Sequence, residues 1–257
     1  MFALNHSIAY GLLLSLLAGL ATTIGSLIVF LIKKPSFRIL SLGLGFSAGV
    51  MIFISFAELL TTSIKQIGIV SANIAFFIGI IMVFLIDVII PHEYIAELLP
   101  SSEKESFKPL TKTGILVALG IAIHNLAEGI AVLAGSLHSI GLGIVMAVAI
   151  AIHNIPEGIS VSLPIFYATK SKRKAFWLSF LSGISEPIGA LLAVIFLWPF
   201  FTPYIVHGLL AFVAGIMIYI SFDELLPAAH KYGEEHIVAV GIILGMIVMS
   251  ATLILLR

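Results

Sequence analysis

Long apolar runs separated by short polar connections organise this chain. Eight of them fall near residues 8–32, 38–62, 69–90, 112–134, 141–168, 173–198, 205–228 and 236–256. Each reaches the ~20 residues that an α-helix needs to cross a bilayer. Within hydrocarbon a helix satisfies its own backbone polar groups, so the pattern predicts an all-α polytopic membrane protein with eight transmembrane helices. Residues 1–257 read as one transmembrane unit. Only the connection 91–111, PHEYIAELLPSSEKESFKPLT, is long enough to form a loop of its own. Its mixed charges predict a solvated segment, with one helical turn around Tyr94–Leu98.

Lys and Arg alternate across the connections. Those between spans 1–2, 3–4, 5–6 and 7–8 hold Lys33, Lys34, Arg38, Lys104, Lys108, Lys112, Lys170, Lys172, Arg173, Lys174 and Lys231. The opposite side holds Lys65 and Arg257. Positive loops stay in the cytoplasm, so both termini are expected outside it. The expected location is the cell (inner) membrane.

Composition narrows the functions open to such a chain. It is 60% hydrophobic and 10% charged, against roughly a quarter charged in soluble domains. It has no cysteine, which rules out disulfides and thiolate ligands. A formal net charge of zero argues against nucleic acid as a partner. Residues 1–7 lack Lys and Arg, so the N-terminus does not read as a cleaved signal peptide. The first apolar run is expected to be a transmembrane helix.

Two repeats stand out. Residues 121–132, IAIHNLAEGIAV, and 150–161, IAIHNIPEGISV, agree at nine of twelve positions. Residues 49–60, GVMIFISFAELL, and 215–226, GIMIYISFDELL, also agree at nine of twelve. The second pair falls in spans 2 and 7, which cross in opposite directions. That is the mark of an inverted repeat, here of helices 1–3 and 6–8 around the 4/5 hairpin, and transporters place substrate sites between such halves.

The first repeat carries the chemistry. Each copy sets a His and a Glu four residues apart, His124/Glu128 and His153/Glu157, on one helix face. The turn of the hairpin is expected near Ser139–Gly141. From there the four side chains lie ~18–25 Å along their helices, close to mid-bilayer. Ionisable groups at such depth are costly and usually functional. Two imidazoles and two carboxylates suit a divalent metal such as Zn²⁺, Fe²⁺ or Mn²⁺. Asn125 and Asn154 project about 100° away, where their amide oxygens can help hold a second ion. Glu186, in SGISEPIGA of span 6, is expected to be a further ligand.

Other features stay open between roles. Pro156 removes a helical donor and is expected to free the Ile152 carbonyl, for coordination or merely as a packing kink. Gly129 and Gly158 let neighbouring helices approach closely. Glu58, Asp223 and Glu224 read either as an accessory relay or gating set or as residues near the interface. Asp87 reads as a solvated acid at a helix end, with product release as the weaker option. His138 can meet incoming metal, and His6, His207, His230 and His236 sit near span ends.

The paired HNxxEG helices, eight spans, outward termini and acid–proline pair of span 6 resemble the ZIP (Zrt-, Irt-like protein) family, most closely its bacterial ZupT/GufA-like branch. The resemblance implies a binuclear metal centre. One site would use His124, Glu128, His153 and Glu157. The adjacent one would use Asn125, Glu128, Asn154, Glu157 and Glu186, with the glutamates of helices 4 and 5 bridging. It further implies uptake toward the cytoplasm, a 3+2+3 helix arrangement, and an elevator-like motion of helices 1, 4, 5 and 6 against 2, 3, 7 and 8 in a homodimer. Zinc leads, with iron, manganese, cobalt and cadmium open. Two departures stand: Ala127 occupies a usual proline position, and the 3–4 loop has only His92 rather than a His-rich run.

No cofactor is expected, the ion being the cargo. An intramembrane zinc hydrolase is the enzyme alternative, but it needs one catalytic zinc, and the HExxH signature is absent. A metal sensor without transport is the third reading. Because carboxylates and imidazoles titrate, acidification on one side is expected to promote release.

Overall fold

The computed structural model describes residues 2–32, 36–89, 108–197, 202–232 and 235–255. Eight helices there are long and apolar enough to cross a membrane. They are α1 (His6–Leu31), α2 (Phe37–Ile67), α3 (Ile69–Val88), α4 (Val117–Leu137), α5 (Gly143–Thr169), α6 (Lys172–Phe196), α7 (Pro203–Lys231) and α8 (Glu235–Leu255). The apolar runs alone predict this number and order.

Local chemistry sets the ends. Gly68 closes α2 at φ +80, a left-handed conformation that glycine adopts without a Cβ clash. Ser171 Oγ accepts from Lys174 N (3.2 Å) and Thr202 Oγ1 from Ile205 N (3.3 Å), capping α6 and α7. The α4 run lies inside a longer helix, Lys108–His138, so residues 108–111 are helical rather than part of the preceding loop. Pro109 falls in the first turn, where its missing N–H has no partner to lose. The remainder of that loop, with His92 and the turn at Tyr94–Leu98, lies outside the described residues, as do Lys33, Lys34, Lys104 and Arg257.

The packing comes in related pairs. α1 packs along α5 and α4 along α6; α2 packs along α8 and α3 along α7. Equating α1–α3 with α6–α8, and α4 with α5, turns each of these pairings into its fellow. It also relates the contact of α2 with α5 to that of α4 with α7. The repeat seen in sequence is thus a repeat in packing. α3 and α8 present mainly exposed apolar surface, as lipid-facing helices do, whereas α2 and α4 are mostly buried.

One feature was not legible from periodicity. Ser55–Leu60 in α2 and Ile220–Leu225 in α7 are π-helical, as is Ala193–Leu197 in α6. The first two are the Ser-Phe-x-Glu-Leu stretches of the repeat. In each, the serine hydroxyl donates to the carbonyl four residues back: Ser55 to Met51 and Ser221 to Met217, both at 2.7 Å. A wider turn re-aims the following side chains and often marks a working position. Here those side chains are Glu58 and Glu224.

Candidate metal centre

α4 and α5 meet at a single break at Ser139, between helices ending at His138 and starting at Ile140. The turn is therefore where the sequence places it, and the two HNxxEG copies come to the same depth. His124, Asn125, Glu157, Asn154 and Glu186 are fully buried, and Glu128 and His153 are 2% exposed.

The four His–Glu side chains converge. His124 Nε2 lies 3.0 Å from Glu128 Oε1 on its own helix and 2.9 Å from Glu157 Oε1 on α5. Neither contact has the alignment of a hydrogen bond. His153 Nε2 bonds Glu128 Oε1, and its Nδ1 faces the Ala149 carbonyl at 3.1 Å. One ligand atom each from His124, Glu128 and His153 lie within 4.8 Å of one another. Around a tetrahedral ion with bonds of ~2.0 Å, ligand atoms sit ~3.3 Å apart, so these spacings suit a small divalent cation.

The amides stand to one side. Asn154 Nδ2 donates to the Ala18 carbonyl (3.0 Å) and to Glu186 Oε2 (2.8 Å). Asn125 Nδ2 donates to the Ser182 carbonyl (3.2 Å). Both nitrogens are tied to α1 or α6, which leaves each Oδ1 to turn elsewhere. Among the described residues, the buried polar atoms without a hydrogen bond include Asn125 Oδ1, Asn154 Oδ1, Glu128 Oε2, both Glu157 oxygens, Glu186 Oε1 and His124 Nε2. Each costs about 1–3 kcal/mol if left uncompensated. All these oxygens, and a neutral imidazole nitrogen, offer lone pairs. A cation satisfies such a set; a hydrogen-bond acceptor cannot.

Close helix contacts hold the geometry. A Cβ on Gly129 would overlap the Glu186 carbonyl oxygen, and one on Gly158 would overlap that of Thr22. The glycine after each Glu therefore lets α6 and α1 approach the hairpin. The helix containing Pro156 runs unbroken from Ile140 to Thr169. The Pro156 carbonyl accepts from Ser47 Oγ of α2 at 2.7 Å. Pro156 thus joins α5 to α2, a role that the sequence reading did not include.

A cavity of about 710 Å³ leads away from Glu128 and His153. It runs toward the end of the bundle that holds the α4–α5 turn, and its wall includes Glu58, Thr62, Thr202 and His207. Glu58 accepts from Thr62 Oγ1 at 3.1 Å. At the opposite end, Asp87, Tyr219 and Glu224 line a recess of only about 10 Å³. Asp87 is thus half-buried beside Glu224 rather than an isolated solvated acid. Asp223, His6, His230 and His236 are exposed and lie apart from the cluster.

The sequence reading groups α1 with α4, α5 and α6 but names no α1 residue here, whereas the Ala18 and Thr22 carbonyls lie against Asn154 and Gly158. Residues 15–25, SLLAGLATTIG, align with 179–189 of α6, SFLSGISEPIG, at five of eleven positions. That offset of 164 residues is the signal that would have found them.

The comparisons with known proteins agree with this architecture. The family model described as ZIP Zinc transporter matches residues 91–253. The chain is similar to the zinc transporter ZupT of Nitratidesulfovibrio vulgaris, at 46% identity covering 98% of each chain. It is 46% identical to that of Clostridium perfringens over 97% of each chain. With that of Chlorobium phaeovibrioides it shares 49% identity over 95% of this chain and 97% of the relative. These relatives are transporters, not enzymes, so the hydrolase alternative falls away. Eight membrane-crossing helices, a doubled HNxxEG hairpin and near full-length similarity place the chain in one family: it belongs to the ZIP zinc transporters.

Proposed function

We propose that this protein carries divalent cations, zinc foremost, across the cell membrane into the cytoplasm. The cargo binds a binuclear site, one ion on His124, Glu128, His153 and Glu157. The second is held by Asn125, Asn154 and Glu186, with Glu128 and Glu157 shared. The observation that carries the reading is the convergence of four buried His and Glu side chains between α4 and α5. Their surplus of lone pairs supports a cation as the missing partner.

The related helix pairs support alternating access. Ile54 of α2 and Ala149 of α5 line the large cavity. Their equivalents under the repeat are Ile220 of α7 and Gly120 of α4. These two are packed together, so that a Cβ on Gly120 would run into the Ile220 side chain. One of two equivalent interfaces is open and the other closed. With the termini outside the cytoplasm, as the Lys and Arg bias argues, the open one faces outward. Ions enter past Glu58 and His207, shed water at the hairpin, and leave past Asp87 and Glu224 once the interfaces exchange states. The motion is that of α1, α4, α5 and α6 sliding as a body against α2, α3, α7 and α8, in a 3+2+3 arrangement. Ligands of nitrogen and oxygen without thiolate bind the ion firmly yet let it go.

Zinc uptake into proteoliposomes tests the reading. Wild-type protein should accumulate Zn²⁺, and Glu157→Ala should not. Binding without flux in the wild type would favour a sensor instead.

A further inference from the structure

The two-fold relation between α1 and α6 is kept almost residue by residue around the hairpin. Asn154 donates to the carbonyl of Ala18, and Asn125 to that of Ser182, positions 164 residues apart. Gly158 lies against the carbonyl of Thr22, and Gly129 against that of Glu186, again 164 apart. Gly19 and Gly183, related the same way, face each other where the helices cross. A Cβ built on Gly19 would stand 3.2 Å from Glu186 Cβ, and one on Gly183 would stand 3.0 Å from Thr22 Cβ.

Thr22 and Glu186 therefore occupy equivalent places with different chemistry. Glu186 Oε2 accepts from Asn154, the asparagine of α5. On the other side Thr22 is fully buried, its Oγ1 has no hydrogen-bond partner, and neither has Asn125 Oδ1. A fully symmetric centre would carry a second acid there, beside Asn125.

We propose that Thr22 is the residue that breaks the symmetry of the transport site. By placing a neutral hydroxyl where α6 places Glu186, it directs the second ion to the α6 side. This inference rests on the binuclear reading above and extends it to α1. The consequence is electrostatic. Glu128, Glu157 and Glu186 set three negative charges against the four positive charges of two divalent ions. A fourth carboxylate would neutralise the loaded site and hold its cargo more tightly. Burial makes each such charge count far more than it would in water. Thr22 keeps the site one acid short, and so able to release.

Exchanging the two residues tests this. Zn²⁺ bound per chain is measured by titration of purified protein for wild type, Glu186→Thr, and the exchange of Glu186→Thr with Thr22→Glu. Expected counts are two, one and two. Thr22→Glu alone should bind with a half-saturation ~10-fold lower or more, comparable to other changes around metal ligands, and its maximal uptake should fall. A second exchange variant, with Thr22→Asp, guards against failure of the longer side chain to fit. The first ion, followed in the same titration, reports an intact hairpin. Should Glu186→Thr still bind two ions, Glu186 does not hold the second ion and this inference falls with that assignment. Should Glu186→Thr bind one and both exchange variants also bind one or none, the binuclear reading stands and the role of Thr22 is overturned.

Discussion

His124 of α4 faces Glu157 of α5 across the hairpin, with Nε2 2.9 Å from Oε1, and neither side chain has any solvent exposure. The pair is held by two helices joined at one residue, Ser139, so its spacing is set by the backbone rather than by long flexible side chains. Removing His124 leaves Glu157 buried without that partner, and removing Glu157 leaves His124 with Glu128 alone. We expect His124→Ala and Glu157→Ala each to abolish saturable zinc uptake, while both proteins still reach the membrane. Uptake normalised to surface-labelled protein checks this.

Asn154 ties α5 to α1 and at the same time orients Glu186. Side chains that orient ligands typically cost 10–100-fold in metal affinity when lost. Asn154→Ala should weaken the second ion by about that factor, measured by competition with a zinc indicator. The first ion should be held nearly as before.

Gly158 allows the Thr22 carbonyl of α1 to lie against α5. A methyl group there meets backbone, which cannot rotate away, and overpacking costs about 1–3 kcal/mol. Gly158→Ala should lower the melting temperature in detergent and reduce uptake. Gly141→Ala, at a glycine with open space around it, should do neither.

The closed interface offers a direct test of alternating access. The chain contains no cysteine, so introduced pairs are the sole thiols. Cysteines at 120 and 220, where Gly120 and Ile220 pack together, should cross-link in the absence of metal and block uptake until reduced. Cysteines at 54 and 149, on the wall of the open cavity, should cross-link only as the transporter cycles.

Glu58 lines the cavity that leads to Glu128 and His153, on the π-helical turn of α2. Its charge should gather cations rather than hold them. Glu58→Gln is expected to raise the half-saturating zinc concentration severalfold with little change in maximal rate. A fall in maximal rate alone would assign it to the moving steps instead.

Much of this structure could be read from the sequence because a bilayer allows few solutions. An apolar run of sufficient length has to be a helix, and an i, i+4 pair within it has to share a face. That pairs His124 with Glu128 and His153 with Glu157, and a hairpin turning near Ser139 brings the two pairs to one depth. What periodicity could not give was the π-helical turns at Ser55–Leu60 and Ile220–Leu225, since runs apolar on nearly every face have no phase for an extra residue to disturb. Nor could it show the Ser47–Pro156 bond or the burial of Thr22, which depend on which helices become neighbours. Nor does an apolar run mark where the helix carrying α4 begins, since Lys108–Thr111 extend it beyond the apolar stretch with Pro109 in the first turn.

The most direct test of the central claim is the position of the ion itself. Crystals or detergent-solubilised protein loaded with Zn²⁺ can be examined by anomalous scattering or X-ray absorption at the zinc edge. The account predicts zinc between α4 and α5, with nitrogen ligands from His124 and His153 and oxygen ligands from Glu128 and Glu157, and loss of that signal in Glu157→Ala. Zinc bound elsewhere in the chain, or a signal at the hairpin unchanged by that substitution, would contradict it.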